Sequence, residues 1–431
     1  MMPNRHTNFL SIICPPGESS QSAGCRVPVG GSPQSGGTYQ LLAMKSIKLV
    51  LAAATCAVML CALPSFAAEG KKKSEVAPED DLFAQTKVLK LRIDLSPAAQ
   101  EALKKEPKTY VKGTLREGSQ AINDVAVRMK GNGSFQGMDK KPSLTVKINE
   151  FVQGQKFRGQ AKFHLNNSAQ DPSYLCETLG GQIFRDAGVP AARTIFARIE
   201  LNGRDAGLYV LTEAANKDFL SLNFKKAKGN LYEGSNNDVT DKLDKDSGDD
   251  STEQPDLKAL AKAAQEHDPA QRWKKLTPVL DLDRFVSFAA VEVLVWHRDG
   301  YSMDRNNYRI YHDPASDQMV FLPHGMDLLF SKANGAIWPE WKGLVARAVL
   351  ETPDGRQRYR ERMGKLLSTA FVPGTLQTRI QELAARVRPN LTDKEALKAF
   401  DAAVNQLRDV IAQRATFVEG ELKKPQQSAA R

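Results

Sequence analysis

Between Lys87 and Tyr232 apolar and polar positions alternate in short runs, the two-residue period of a half-buried strand. Lys87–Leu95 (KVLKLRIDL), Val125–Met129, Leu144–Ile148, Arg193–Leu201 and Leu208–Glu213 each predict a strand, and His164 sits on a further short alternating run. Asn202-Gly203, between the last two strands, predicts a hairpin, because both residues tolerate the positive φ of a tight turn. Asp171–Ala187 predicts a helix, with Asp171 as N-cap, Pro172 in the first turn and Gly188 as the stop. From residue 257 the period lengthens to that of a helix. An apolar helix is expected over Asp283–Trp296, then a strand pair at Tyr308–Tyr311 and Met319–Leu322, then amphipathic helices over 358–371 and about 376–424. Between the two regimes, 233–256 (EGSNNDVTDKLDKDSGDDSTEQPD) predicts an acidic flexible connector. It does not fit an EF-hand, since Gly248 is misplaced and no Glu closes the loop. The pattern is α+β: a sheet carrying a packed helix, then a mainly helical half.

The N-terminus reads differently. Met44 opens MKSIKLVLAAATCAVMLCALPSFAAEG, in which Lys45 and Lys48 precede an apolar run over Leu49–Leu63 and Ser65-Phe66-Ala67 offers a small-x-small cleavage site. An apolar run of about 15 residues is short of the roughly 20 that cross a bilayer, so 44–67 predicts an export signal and not an anchor. Leu60 before Cys61 argues against a lipoprotein. Residues 1–43 precede that signal and read as a mis-called extension, and 68–86 read as a charged, Pro-containing linker. The working protein is then periplasmic, cell-surface or secreted, with no stable membrane span once the signal is cleaved.

Composition changes the picture little. A chain of 431 residues, 26% charged and 41% hydrophobic, is neither a disordered polymer, a collagen-like fibre nor a many-pass membrane protein. Its net charge is +10. Removing 1–67 takes away Arg5, Arg26, Lys45, Lys48 and Glu18, which lowers the excess to +7. That bias is too mild for a nucleic-acid footprint, and no nucleic-acid partner is expected. Cys14, Cys25, Cys56 and Cys61 go with the same segment, leaving Cys176 alone and no intramolecular disulfide.

Two short polar segments carry candidate chemistry. His297-Arg298-Asp299-Gly300-Tyr301 is followed by Asn306-Asn307-Tyr308, and Pro323-His324-Gly325-Met326-Asp327 lies beyond the predicted strand pair. An Asp and an Asn in one loop, with a second Asp after a hairpin, can converge on a metal–phosphate site. Phosphoryl transfer needs an Asp to orient the nucleophile and hard oxygen ligands for Mg²⁺. A plain turn at Asp299-Gly300 with a loop cap at Asn306-Asn307 is the alternative from spacing alone. No CxxC, HExxH or GxxxxGK[ST] motif occurs, which counts against a zinc hydrolase and a P-loop NTPase.

Several blocks in order resemble the CotH-type (spore coat protein H-like) secreted kinase family over most of 87–420. They are RMKGNGSF with KKPSLTVKI, FHLNNSAQDPSYLCETLGGQIFRDAGVPAART, IELNGRDAGLYVLTEAANKDFL, GNLYEG, and HRDGYSMDRNNYRIYHD with FLPHGMDLLF. The resemblance implies an atypical bilobal protein-kinase-like fold, with a mixed-sheet N-lobe over 87–232, a mainly helical catalytic C-lobe over 257–372 and C-terminal helices over 373–431. It implies transfer of phosphate from ATP to hydroxyl groups of a protein substrate, with Mg²⁺ or Mn²⁺. By that resemblance Asp299 is the catalytic-loop Asp, Asn307 (with Asn306 as fallback) a metal ligand, and Asp327 the metal-binding Asp. Many members carry Trp-Asp-x-Asp or Trp-Asp-x-Asn where this chain has His324-Gly325-Met326-Asp327, so the first acid is missing. A catalytically inactive interaction protein and an AMP transferase on the same fold are the competing possibilities. The N-terminal half would then clamp nucleotide. Gly131-Asn132-Gly133-Ser134 is a phosphate-facing turn or a plain hairpin turn. Lys130 or Lys147 would meet phosphate, with Arg128 nearby. Glu177 would pair with the lysine or be a surface helix residue, and Glu213 would lie where an adenine-contacting hinge is expected.

Overall fold

The structure is a computed structural model that describes residues 80–249 and 251–425. The segments 1–43 and 44–67, and the 68–86 linker up to residue 79, lie outside the described residues.

β1 (Leu89–Leu95) buries every second residue, as its alternation requires. α1 (Pro97–Lys105) follows at once: Ser96 Oγ accepts from the Ala99 N–H at 3.2 Å and Pro97 occupies the first turn. β2 (Val111–Glu117) and β3 (Gln120–Met129) form a hairpin, followed by β4 (Leu144–Lys147), β5 (Lys162–Asn166), α2 (Cys176–Asp186), β6 (Thr194–Leu201) and β7 (Arg204–Glu213). These seven strands close a barrel in the order β1-β2-β3-β4-β5-β7-β6. Parallel pairing of β1 with β6, Leu91 opposite Ile199, makes the closure and the sheet mixed. Leu91, Ile93, Val127, Val146, Phe163, Leu165, Ile199 and Leu211 fill its interior.

α2 begins at Cys176 and not at Asp171. Residues 171–175 make a turn with Tyr174 at φ 60°, and Asp171 still caps from a distance, its Oδ2 accepting from the Cys176 N–H at 2.9 Å. The buried face of α2 (Leu179, Ile183, Phe184) belongs to the core of the helical half.

α3 (Lys217–Asn223) leads to β8 (Leu231–Gly234) and β9 (Asp244–Ser247). Then come α4 (Pro255–Ala264), α5 (Pro269–Leu276), α6 (Leu282–Leu294), the single turn α7 (Tyr301–Asp304), β10 (Tyr308–Asp313) and β11 (Gln318–Pro323). Strands β11-β10-β8-β9 form a second sheet. The acidic stretch expected to be a flexible connector over 233–256 therefore carries a paired strand. Donors from elsewhere hold its acids: Asp238 accepts from Tyr301 OH at 2.9 Å and from the Leu344 N–H at 2.8 Å, and Asp249 accepts from Asn230 Nδ2 at 3.0 Å. α8 (Leu344–Leu350), α9 (Pro353–Thr369), α10 (Pro373–Val387) and α11 (Lys394–Lys423) complete the chain. The expected single helix over 376–424 is two. Pro389 lies in a short 3-10 turn at Arg388–Asn390, and Asp393 caps the next start by accepting from the Ala396 N–H at 2.8 Å. Among the described residues no helix is long and apolar enough to cross a membrane.

Candidate functional site

α6 ends at Leu294, and Trp296 at φ 50° turns the chain back on itself. The loop that follows carries Asp299. Its two carboxylate oxygens accept from Asn306 Nδ2 at 3.0 Å and Asn307 Nδ2 at 2.5 Å. The asparagines that immediately precede β10 therefore fix the Asp299 side chain. Asn307 has φ 47° and its carbonyl accepts from the His324 N–H at 3.0 Å, which joins the two polar segments. Gly325, at φ +55°, lies so close to the Asn307 amide that a Cβ would overlap it. Asp327 follows two residues later, on a turn whose Met326 and Leu329 pack in the same core as Leu179 of α2.

A brace behind Asp299 was invisible in sequence. Glu292 of α6 is fully buried. Its two oxygens accept from the backbone N–H groups of Tyr301 and Ser302 at 2.9 and 3.0 Å. A Cβ at residue 300 would strike that carboxylate, so glycine is what lets the loop close over it. Burial raises Glu292 to about 8, opposed by the Ser302 and Tyr301 donors. His297 is also buried, with Nε2 3.1 Å from the His324 carbonyl, and burial lowers it to about 4.

Asp299, Asn306, Asn307, His324, Gly325 and Asp327 line one wall of a cleft of about 540 Å³. The barrel supplies the facing wall with Lys130, the Gly131–Ser134 turn, Thr145, Lys162, His164 and Asn166. Lys130 and Glu177 do not meet directly: Lys130 Nζ donates to Asn166 Oδ1 at 2.7 Å, and Asn166 Nδ2 donates to Glu177 Oε2 at 2.5 Å. Burial raises Glu177 to about 7, as does Asp327, while Lys130 opposes the shift. Burial lowers the Lys130 pKa against the pull of Glu177 and Asp327. Burial likewise raises Asp327, with its own backbone N–H and Lys130 opposing and Asp299 adding. His164 is a partnered buried histidine, its Nδ1 3.1 Å from Thr145 Oγ1.

Asp299, Asn307, Asp327, Lys130 and Glu177 thus share the cleft, and two other expected residues do not. Lys147 does not line the cleft, although Lys162 opposite it on β5 does; its ammonium is taken by Glu150. Glu213 is not a cleft residue either. Its side chain is 1% exposed and consumed by Arg193, with Nη2 to Oε1 at 2.6 Å and the Arg193 N–H to Oε2 at 3.1 Å. Sequence reasoning also missed Asn166, Lys162, Arg309, Glu233 and Asp246, which come to the cleft through strand pairing and not through a motif.

Asp299, Asp327 and the amide oxygen of Asn307 are hard donors. Among the described residues no group of three or more His, Cys, Asp or Glu is placed to hold a metal. Two carboxylates with an amide suit Mg²⁺ or Mn²⁺ whose other positions are filled by phosphate oxygens and water, and not a closed zinc site.

Known proteins give the family. The chain is 23% identical over 326 residues to the inner spore coat protein H of Bacillus subtilis, covering 69% of this chain and 87% of that protein. It is 24% identical over 331 residues to the invasin CotH2 of Rhizopus delemar, covering 68% of this chain and about half (55%) of that protein. Among solved structures, the Helicobacter pylori proinflammatory kinase CtkA overlaps 67% of this chain and 96% of its own at 8% identity, with a TM-score of 0.31. A Shewanella oneidensis HipA–HipB–operator complex overlaps 78% of this chain and 74% of the matched chain at 12% identity and a TM-score of 0.30. Overlaps of that size carry no argument about function. The family model for CotH kinase protein, however, matches residues 127–418, about two thirds of the chain and all of the Asp299, Asn307, Asp327, Lys130 and Glu177 cluster, and on that ground the chain belongs to the CotH kinase family.

Proposed function

We propose that the protein is an exported kinase that transfers the γ-phosphate of ATP to a hydroxyl group of a protein substrate, with Mg²⁺ or Mn²⁺. One observation carries this: Asp299, Asn307 and Asp327 face Lys130 and Glu177 across a single cleft. Asp299 accepts the proton of the attacking hydroxyl. The new bond joins that oxygen to γ-phosphorus as the bridge to the β-phosphate breaks and ADP leaves. The amides of Asn306 and Asn307 leave each Asp299 oxygen a free lone pair for this proton. Asp327 and Asn307 would hold the metal, which when bound neutralises phosphate charge. Lys130, kept in line by Asn166 and Glu177, would meet the phosphate chain. Export rests on the 44–67 signal pattern, and the names of the two relatives, a spore-coat protein and an invasin, agree with a surface or extracellular setting.

His324-Gly325 in place of an acidic residue favours a second reading, a non-catalytic interaction protein. The test is label transfer from γ-labelled ATP to a generic protein acceptor with either metal, using wild type, Asp299→Asn and Asp327→Asn. Label in wild type alone is the expected result. No transfer and no nucleotide-dependent thermal shift would sink the kinase reading and leave the interaction protein. Label from α-labelled but not γ-labelled ATP would establish adenylyl transfer.

A further inference from the structure

Arg309 of β10 lies in the cleft wall beside, and not within, the Asp299–Asp327 cluster. Its guanidinium is held by two acids of unequal standing. Glu233 sits opposite it in the β8–β10 register and accepts from Nη2 at 2.9 Å, so the sheet itself delivers that partner. Asp246 receives the other nitrogen from β9, an edge strand with three of its four residues exposed. β9 pairs with β8 at three positions, with an irregularity between Leu231 and Tyr232. The Arg309 side chain is 7% exposed and that of Asp246 is 32% exposed. Arg309 Nε is buried with no hydrogen-bond partner. Lys162 and Arg128 line the same cleft. Burial lowers the Lys162 pKa, and Asp246 is the first charge to oppose it.

A buried guanidinium must keep an anion, but its planar fork accepts a carboxylate and a phosphate alike. Of the two anions here, Glu233 is built into the sheet. Asp246 is already part-solvated, so it is the partner that an incoming anion can replace, leaving Glu233 in place and the Arg309 fork open to the cleft that Lys162 also lines. We propose that Arg309, with Lys162, is a binding site for a phosphate-class oxyanion, and that Asp246 occupies it as an internal anion which ligand phosphate displaces. The proposal deepens the nucleotide-using reading, since the phosphate would be that of the nucleotide, and it gives the acidic 233–256 stretch a task.

Titration calorimetry on the full chain tests it, with sodium tripolyphosphate and ATP as separate probes. Asp246→Asn removes the competing charge and keeps the shape. It should bind both probes about tenfold more tightly than wild type. Adding Arg309→Lys or Lys162→Gln to Asp246→Asn should cancel most of that gain, and circular dichroism confirms that each variant is folded. Equal or weaker tripolyphosphate binding by folded Asp246→Asn overturns the proposal, and so does tighter binding of ATP alone. If Asp246→Asn tightens tripolyphosphate while no form of the protein binds ATP, the oxyanion site stands and the nucleotide reading falls. If wild type binds ATP and Asp246→Asn changes neither affinity, the reverse holds.

Discussion

Lys130, just past the end of β3, and Lys147, at the end of the neighbouring β4, are given opposite fates by the fold. Lys130 enters the cleft and is tied to Glu177 through Asn166, whereas Lys147 pairs with Glu150 outside it. Under the kinase reading, replacing Asn166 with Ala should therefore weaken ATP binding by about tenfold, since hydrogen bonds to charged groups each contribute about 1.5–3 kcal/mol. Lys147→Ala should leave ATP binding unchanged, and calorimetry on both variants decides. Glu213 makes the complementary case. Its carboxylate neutralises Arg193 away from the cleft, so Glu213→Gln should cost about 2 kcal/mol in urea unfolding. Its ATP affinity should equal that of wild type; a loss would return Glu213 to the nucleotide site. In sequence nothing separates Lys130 from Lys147, or Glu177 from Glu213. Asp299, Asn307 and Asp327 were legible because their neighbours in the chain are also their neighbours in the site.

At the level of elements, the Asp299 loop depends on the helix before it. Glu292 sits in the last turn of α6, just before the loop, and grips two consecutive N–H groups just beyond Asp299. Glu292→Gln replaces one acceptor oxygen with an NH₂ group that faces a donor, so one of the two grips is lost without changing the volume. Under the kinase reading, kcat should fall by on the order of 10²-fold, as misplacement of a reacting group does, while KM for ATP stays within about twofold. A matched rise in KM would instead show general loss of the cleft. Among the elements themselves, α6, β10 and β11 were predicted within a few residues because their apolar runs are bounded by polar loops. α1 and β2 were not, since each buries a single residue fully and leaves little periodicity to read. β9 reads as a loop because every one of its residues is polar; β8 beside it is what makes it a strand.

For the whole molecule, buried ionisable groups set the dependence of stability on pH. Burial raises Glu292 to about 8 and Glu177 to about 7. Each holds a proton in the folded state that the unfolded chain releases near pH 4.5. Their contribution is full below that value and is lost as pH rises through 7 and 8. His297, lowered to about 4, works from the other side: its contribution is full above about pH 6.5, the usual value for histidine, and is lost as pH falls toward 4. Between pH 4.5 and 6.5 the two glutamates outweigh the single histidine, so urea midpoints should fall as pH rises from 4.5 to 8, with His297 making the acid part shallower and the glutamates alone setting the alkaline limb from pH 6.5 to 8. Glu292→Gln should flatten the alkaline limb. An unchanged limb in that variant would mean that Glu292 does not hold its proton in the folded protein.

The linear order of blocks was enough to place the chain in its family, and two contiguous polar segments flanked by apolar runs put forward Asp299, Asn307 and Asp327 as candidates that the fold brings to one cleft. The two-residue and longer periods gave the division into a sheet half and a helical half because periodicity is a local property. What only tertiary structure decided is pairing. Closure of seven strands by β1 against β6, the relay through Asn166, the brace from Glu292 and the meeting of Arg309 with Asp246 all join residues whose partners lie several residues to many tens of residues away. A charged side chain is satisfied by whatever the fold brings to it, and the sequence records the charge but not the partner.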